Sequence, residues 1–435
     1  MLRFVKAFIF SVLLPALAIA GAEEPLTIDQ AIRLAVQNNL TGKLAAAATE
    51  EARGRALRTA SALLPKITGA VQQARVFKEN LEAQGFSGNG PFDPLLGPFN
   101  SFDARLQLVQ SVLDFNAIWK TRADNRRRKM SILEEALARE EVAAAAALAY
   151  LEAQRTQRSV SAAQADLTLS DSLLKLARDQ HSAGVSTGID VARAETEREQ
   201  ANLRLIRTRV AAQEADLRLK RTIGVPLVES IVLPDVPRNI LTTVLPVDKA
   251  IGISNHDRLE IQIAKEAWLA ATDVLRAAKA ENLPSLKAMA DYGHSGTTIE
   301  NTARTGSIGG RLDLPILSGG DTHGRVVEET ARKKEAEDRY QDIVIQVEED
   351  VRLSLQTLTA EIEETRTADQ ALDLARKELK MAQDRFSAGV GDNIQVLHAQ
   401  TALARALDDQ IDAFSRYDVA RLSLAAALGR VQDFK

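Results

Sequence analysis

The chain has 435 residues, with 55 Lys and Arg against 59 Asp and Glu, and it contains no cysteine. The mild acidity argues against a nucleic-acid partner. Without cysteine there are neither disulfides nor metal thiolates, so stability has to come from packing and assembly.

The N-terminus carries Arg3 and Lys6, an apolar stretch from Phe8 to Ile19, and small residues at Ala18-Ile19-Ala20 and Ala20-Gly21-Ala22. This pattern predicts a signal peptide over 1–22 and an exported mature chain. A single membrane anchor is the alternative, but the run is short for a ~20-residue span, and no stop-transfer charges follow it. No cysteine follows the signal to carry a lipid. Beyond it there is no long apolar segment, so entry into a membrane requires a closed β-barrel, because lipid cannot satisfy open backbone.

The remainder is a duplication. Ser182-Ala183-Gly184-Val185 returns as Ser387-Ala388-Gly389-Val390, Ile28-Asp29-Gln30-Ala31-Ile32 as Val247-Asp248-Lys249-Ala250-Ile251, and Leu64-Pro65 as Leu283-Pro284. The first repeat covers 23–225: a short helix, a β-hairpin over about 66–113, and a long helical hairpin with its tip at 184–189. A linker at 226–246 leads to the second repeat, 247–435, with a β-hairpin over about 284–317 and a tip at 389–393. The halves are far longer than the roughly 20–50-residue units of solenoids, so a domain is duplicated.

Within each hairpin the polarity alternates with period two. Phe102, Ala104, Leu106 and Leu108 alternate with Asp103, Arg105, Gln107 and Val109. Leu286, Ala288, Ala290 and Tyr292 alternate with Lys287, Met289, Asp291 and Gly293, and Ile308 to Ile316 alternate with Ser307 to Asp313. The partner strand around Ile67 to Phe77 is less regular, and loops at Glu79 to Ser101 and His294 to Thr305 complete the hairpins. Strands of about ten residues are long enough to cross a bilayer at a tilt. Four cannot close a barrel, so several chains would contribute to one wall. The alternative is a pair of hairpins packed on the helices of a soluble α+β domain.

Proline is missing between Pro98 and Pro226 and after Pro315, and glycine is missing from Phe115 to Ala183 and from Arg325 to Ala388. Each glycine-free span reads as one helix on the order of 100 Å long. Leu203, Ile206, Val210 and Leu217, and likewise Leu403, Leu407, Ile411 and Phe414, follow three-four steps that predict packing of the return helices along their partners. Gly184 and Gly389 supply left-handed residues that close the long helices, and the short segments after them predict tight turns. An ordinary soluble coiled coil is the alternative for the helices.

Catalytic signatures are missing. No glycine-rich loop is followed by Gly-Lys-Ser/Thr, and His181, His256, His294, His323 and His398 lie far apart without ligand spacing. Neither enzyme activity nor a metal or cofactor is expected.

The order and spacing of these signals resemble the TolC-type outer membrane efflux protein family over nearly the whole mature chain. The residues that carry the resemblance are Leu26-Thr27-Ile28-Asp29-Gln30-Ala31-Ile32 with Asn38-Asn39, the Leu64-Pro65 and Leu283-Pro284 strand entries, and the twin Ala-Gly-Val tips. The resemblance implies a mainly α fold with membrane β: a homotrimer whose four β-strands per chain make a 12-stranded barrel, continued by a periplasmic α-helical barrel. It implies a passive exit duct in the outer membrane of a Gram-negative cell, in contact with outer membrane lipid, serving multidrug or metabolite efflux or type I protein secretion. An inner-membrane transporter would drive the substrate, and a periplasmic adaptor (membrane fusion) protein would dock on the tips. Gly184, Val185, Gly389 and Val390 match the adaptor-docking positions. Asp190 matches a gating link whose tyrosine partner corresponds here to Phe386, and Gln395 and His398 stand at the acidic aperture positions, so the family's closing lock and cation-binding ring are altered. The competing reading is a soluble periplasmic coiled-coil adaptor or scaffold, although adaptors carry one helical hairpin and this chain carries two.

Overall fold

The duplicated helix starts set the frame. In the computed structural model, which describes residues 25–80, 95–234, 240, 243–388 and 390–434, each repeat opens with two helices. These are α1 (Ile28–Asn38) and α2 (Leu40–Ala60) in the first repeat, with α5 (Val247–Asp257) and α6 (Leu259–Ala280) in the second. Thr27 and Gln30 form a capping box on α1, and Asn39 ends α1 while its side chain accepts from the Thr41 N–H at 2.8 Å to start α2. The predicted signal peptide, Gly389, and parts of the first hairpin loop and of the linker lie outside the described residues.

The strands follow: β1 (Lys66–Val76), the short β2 (Glu79–Asn80) and β3 (Leu95–Leu96), β4 (Phe99–Leu113), β5 (Ser285–Gly296) and β6 (Thr302–Asp313). Four of them form one antiparallel sheet in the order β1-β4-β5-β6. Its register aligns like with like. One row runs Ile67, Leu108, Ala290, Ile308, and the next runs Thr68, Gln107, Asp291, Ser307. The sheet therefore has one apolar and one polar face, as the alternation predicts. The apolar face is uncovered, with Ile308 90% exposed. Hairpins packed on helices would have buried it, so the soluble α+β alternative fails here. The second hairpin was expected to run to about 317, but β6 stops at Asp313. Pro315 has no N–H to give to a ladder, and Leu314 and Ile316 fall outside the strand.

The long helices are α3 (Phe115–Ser182), of 68 residues, and α7 (Asp321–Ser387), of 67; each turns back into α4 (Gly188–Ile223) or α8 (Asn393–Ala427). The largest core lies where α1, α3 and α4 meet: Ala31, Ile32 and Ala35 pack with Val142, Ala143, Ala146, Ala147, Tyr150, Leu219 and Ile223. Alanine dominates because it lets the backbones approach closely. Nearer the sheet, Asp273 of α6 is 1% exposed and is matched by Arg126 at 2.7 Å and Arg276 at 3.1 Å, tying α6 to α3.

One expectation about the return helices is corrected. Leu203, Ile206, Val210 and Leu217 are about half exposed, and α4 instead buries Ala194, Ala201, Leu205, Ala215 and Leu219. Three-four spacing identifies a stripe but not the neighbour it faces. In α8, Ile411 is buried, and Leu403, Leu407 and Phe414 are partly buried.

Leu219 is fully buried and Val228 is 96% exposed. Leu219→Ala is expected to cost about 2–5 kcal/mol in urea unfolding, and Val228→Ala is expected to stay within about 0.5 kcal/mol.

Candidate functional site: the hairpin tips and the seam between them

The last turn of α3 closes by a paired set of bonds around Gly184, whose φ is 74°. The Gly184 N–H donates to His181 O at 3.0 Å, and the Val185 N–H reaches back to Gln180 O at 2.9 Å. This is the Schellman arrangement, which needs a left-handed residue at its centre. The second tip repeats the longer bond, from the Val390 N–H to Arg385 O at 3.0 Å. Each tip presents an apolar side chain outward: Val185 is 65% exposed and Val390 is 75% exposed.

The start of α4 is fixed by Asp190. Its Oδ2 accepts from the Thr187 hydroxyl at 2.7 Å and from the Thr187 N–H at 3.0 Å. The Thr187 hydroxyl, its N–H and the nearby Arg193 favour the charged carboxylate and hold it below the usual carboxylate range, against a smaller opposing effect of burial. Asp190 thus caps its own helix. The corresponding start of α8 uses Asp392, which accepts from the Ile394 N–H at 3.1 Å.

The structure brings Asp190 and Phe386 to the same seam, but through other residues. The Phe386 ring is 5% exposed and packs with Leu173, Leu379, Val396 and Ala399. Its carbonyl accepts from Gln180 Nε2 at 3.0 Å, and the Asp190 carbonyl accepts from Asn393 Nδ2 at 3.0 Å. Two amide side chains therefore join the two hairpins at their tips, where Phe386 offers no hydroxyl to bond Asp190. Gln395 and His398 take no part in this seam. Both are exposed on α8, beside the buried Val396 and Ala399.

A third clasp lies further from the tips. Gln400 is 1% exposed, and its Nε2 donates to Ser170 Oγ at 2.6 Å and to Asp166 Oδ1 at 3.2 Å. Asp166 also meets Arg204 of α4 at 2.7 Å. These three helices surround a cavity of about 380 Å³ that Arg155 and Asp412 also line. Sequence reasoning missed Gln180, Asn393 and Gln400. Isolated amides in a polar helix carry no pattern; the available signal was a polar residue at a position whose flanking apolar residues place it in the seam.

Among the described residues, no group of three His, Cys, Asp or Glu side chains is placed to hold a metal ion, and no helix is long and apolar enough to cross a membrane. The site offers packing, capping and polar clasps between helices.

Known proteins share the sequence pattern and the fold of this chain. A sequence model of the family described as outer membrane efflux protein matches residues 31–225 and 254–430. The alkaline protease secretion protein AprF of Pseudomonas aeruginosa is 23% identical over 86% of this chain and 79% of its own length. The pyoverdine export outer membrane protein OpmQ of the same organism is 23% identical over 94% and 85%. The crystal structure of the outer membrane protein VceC from Vibrio cholerae superposes with a TM-score of 0.81 at 21% identity, over 93% of this chain and 96% of that one.

Asp190→Ala removes the α4 cap and is expected to cost about 0.5–2 kcal/mol locally. Because the folded-state pKa of Asp190 is depressed, its contribution is present above the usual carboxylate range and disappears as pH falls through the lowered value. The protection factors of amides in the first turn of α4, corrected for the intrinsic pH dependence of exchange, should fall on acidification in the parent protein and be low at every pH in the variant.

Proposed function

Because this chain belongs to the outer membrane efflux protein family, we propose that it is the trimeric exit duct of an efflux or type I secretion machine. The family is one of channels, not of enzymes, and its place is the Gram-negative outer membrane. The observation that supports a barrel shared between chains is the open sheet: β1 and β6 each have a strand on one side only, and the apolar face between them is uncovered. Such edges cannot persist in lipid. Three copies supply twelve strands, more than the eight of the smallest membrane barrels.

The duplication supplies the closing register. Lys66 opposite Val109 and Ser285 opposite Asp313 mark β1 with β4, and β5 with β6, as equivalent hairpins. Within the chain the hairpins meet through Leu108 opposite Ala290. Repeating that step places Leu312 of β6 opposite Val71 of the next chain's β1. Both belong to the apolar rows, so the register keeps one continuous face toward lipid. The helices support the same closure. α3 packs against both α2 and α6, whereas among these two α7 packs against α6 alone. The half-exposed stripe of α4 likewise awaits a neighbour.

The helical part extends into the periplasm, and the barrel holds the protein in the membrane without a lipid anchor. An inner-membrane transporter selects and drives the substrate, so flow through this chain is passive. A periplasmic adaptor docks on the tips at Gly184, Val185, Gly389 and Val390. Asp190 and Phe386 belong to the seam that moves when the tips open, and Gln395 and His398 face the aperture without carboxylates. AprF and OpmQ are named for export of a protease and of pyoverdine respectively, so both cargo classes fit a duct of this form. The uncovered apolar sheet face disfavours a soluble scaffold.

The described residues contain no native cysteine, so engineered pairs report cleanly. Val71→Cys combined with Leu312→Cys is expected to give covalent dimers and trimers on oxidation, and Val71→Cys with Leu286→Cys is expected to give none. Val185→Arg with Val390→Arg should leave trimers intact and abolish export, measured as lost secretion or resistance. Normal export by that variant would remove the tips as the docking site.

A further inference from the structure

Charged side chains on the polar face of the sheet include two belts, and Lys66 of β1, in the row of Val109 and Met289, stands between them. At mid-strand, Arg105 Nε donates to Asp103 Oδ1 at 2.7 Å, Nη2 donates to Asp103 Oδ2, and Nη1 reaches across to Asp291 Oδ1 at 3.1 Å. Ser307 of β6 donates to the other oxygen of Asp291. Nearer the helices, Arg311 Nε donates to Asp313 at 2.8 Å, and Lys287 Nζ approaches the same carboxylate at 3.5 Å. Lys287 and Asp291 are four residues apart on β5, so at the usual strand rise the belts are separated by roughly 13 Å.

Arg105 lies along the wall because of what faces it. The residue opposite on β5 is Gly293. A Cβ built there would sit 2.4 Å from Ala104 O and 2.5 Å from Arg105 Cβ, so no side chain fits without moving a strand. The guanidinium crosses this gap to Asp291, and Arg105, Asp103 and Asp291 are held at 29%, 27% and 22% side-chain exposure. The charges in each belt do not cancel. At mid-strand two carboxylates meet one guanidinium, and at the helix end two cations meet one carboxylate. A closed trimer would carry a net of three negative charges in the first ring and three positive in the second, with the three Lys66 cations between them, on a low-dielectric wall that focuses their field.

We propose that Arg105, laid across Gly293 between Asp103 and Asp291, sets the ion selectivity of the barrel by neutralising half of the carboxylate charge of its mid-wall ring. This inference rests on the trimeric channel reading. It gives the wall a filter for small ions that is separate from the periplasmic aperture, where Gln395 and His398 stand in place of acids.

The test is the reversal potential of the purified protein in planar bilayers under a KCl gradient. Arg105→Gln leaves the carboxylates uncovered and is expected to raise the potassium-to-chloride permeability ratio about twofold or more, with a smaller effect at high salt. Arg105→Lys keeps the charge and should stay near the parent ratio. Asp103→Asn with Asp291→Asn should move the ratio the opposite way. A purely structural ion pair would change trimer stability but not the ratio. Channels whose ratio is the same in the Gln and double Asn variants would overturn the proposal and leave the duct reading intact. If Arg105→Gln yields no trimers, an unmoved ratio in the double Asn variant alone overturns it. A parent protein that forms no membrane-embedded trimer and never conducts would overturn both readings.

Discussion

Everything in this molecule depends on the backbone hydrogen bonds that a single chain leaves unmade at the edges of its sheet. Water can satisfy an open strand edge, but hydrocarbon cannot. A sheet of four strands with an apolar face is therefore incomplete in a bilayer. The internal duplication turns this deficit into a rule of assembly, since the junction that joins β4 to β5 within a chain can be repeated between β6 and the β1 of the next chain. The same step propagates into the helices, where α3 packs against both α2 and α6 and α7 packs against α6 alone of these two.

Below the sheet, small residues set the geometry. The helical hairpins pack through Ala143, Ala146, Ala147, Ala201 and Ala215, so long helices run close together with little side-chain volume between them. Such a seam gives up less apolar area per contact than a leucine-rich one, and a few polar clasps then have more influence over which helices stay together. Asn393 on the Asp190 carbonyl, Gln180 on the Phe386 carbonyl and Gln400 on Asp166 and Ser170 hold the two hairpins to each other. Asn393 and Gln400 are buried, and a buried amide is costly to leave unpaired, so the seam favours being closed or fully separated over a partly opened state.

The parts of this architecture that follow short-range rules were legible in the sequence. Period-two alternation placed the faces of β4, β5 and β6, because successive side chains on a strand must point to opposite sides. The glycine-free and proline-free spans marked α3 and α7, because those two residues are what most often interrupts a helix. Gly184 signalled a left-handed helix end, which the bond from Val185 to Gln180 shows directly. The parts that depend on the identity of a neighbour were not legible. The stripe from Leu203 to Leu217 looked like the seam with α3, yet it faces outward, because spacing carries no information about which surface will be opposite. The bond of Asp190 to Thr187 in its own turn and the bond of its carbonyl to Asn393 were not anticipated either. Gln180, Asn393 and Gln400 gave no signal, since an amide acquires its role only from the carbonyl or carboxylate that packing brings to it.

The shared barrel is tested most directly by the native mass of the protein taken from the outer-membrane fraction in mild detergent, measured by light scattering or native mass spectrometry. A particle of three chains recovered from that fraction is the predicted result, because the proposed wall of twelve strands takes three four-stranded sheets. A monomer or dimer recovered from the soluble fraction would contradict it, and would require the apolar rows from Ile67 to Ile308 to be covered by something other than lipid.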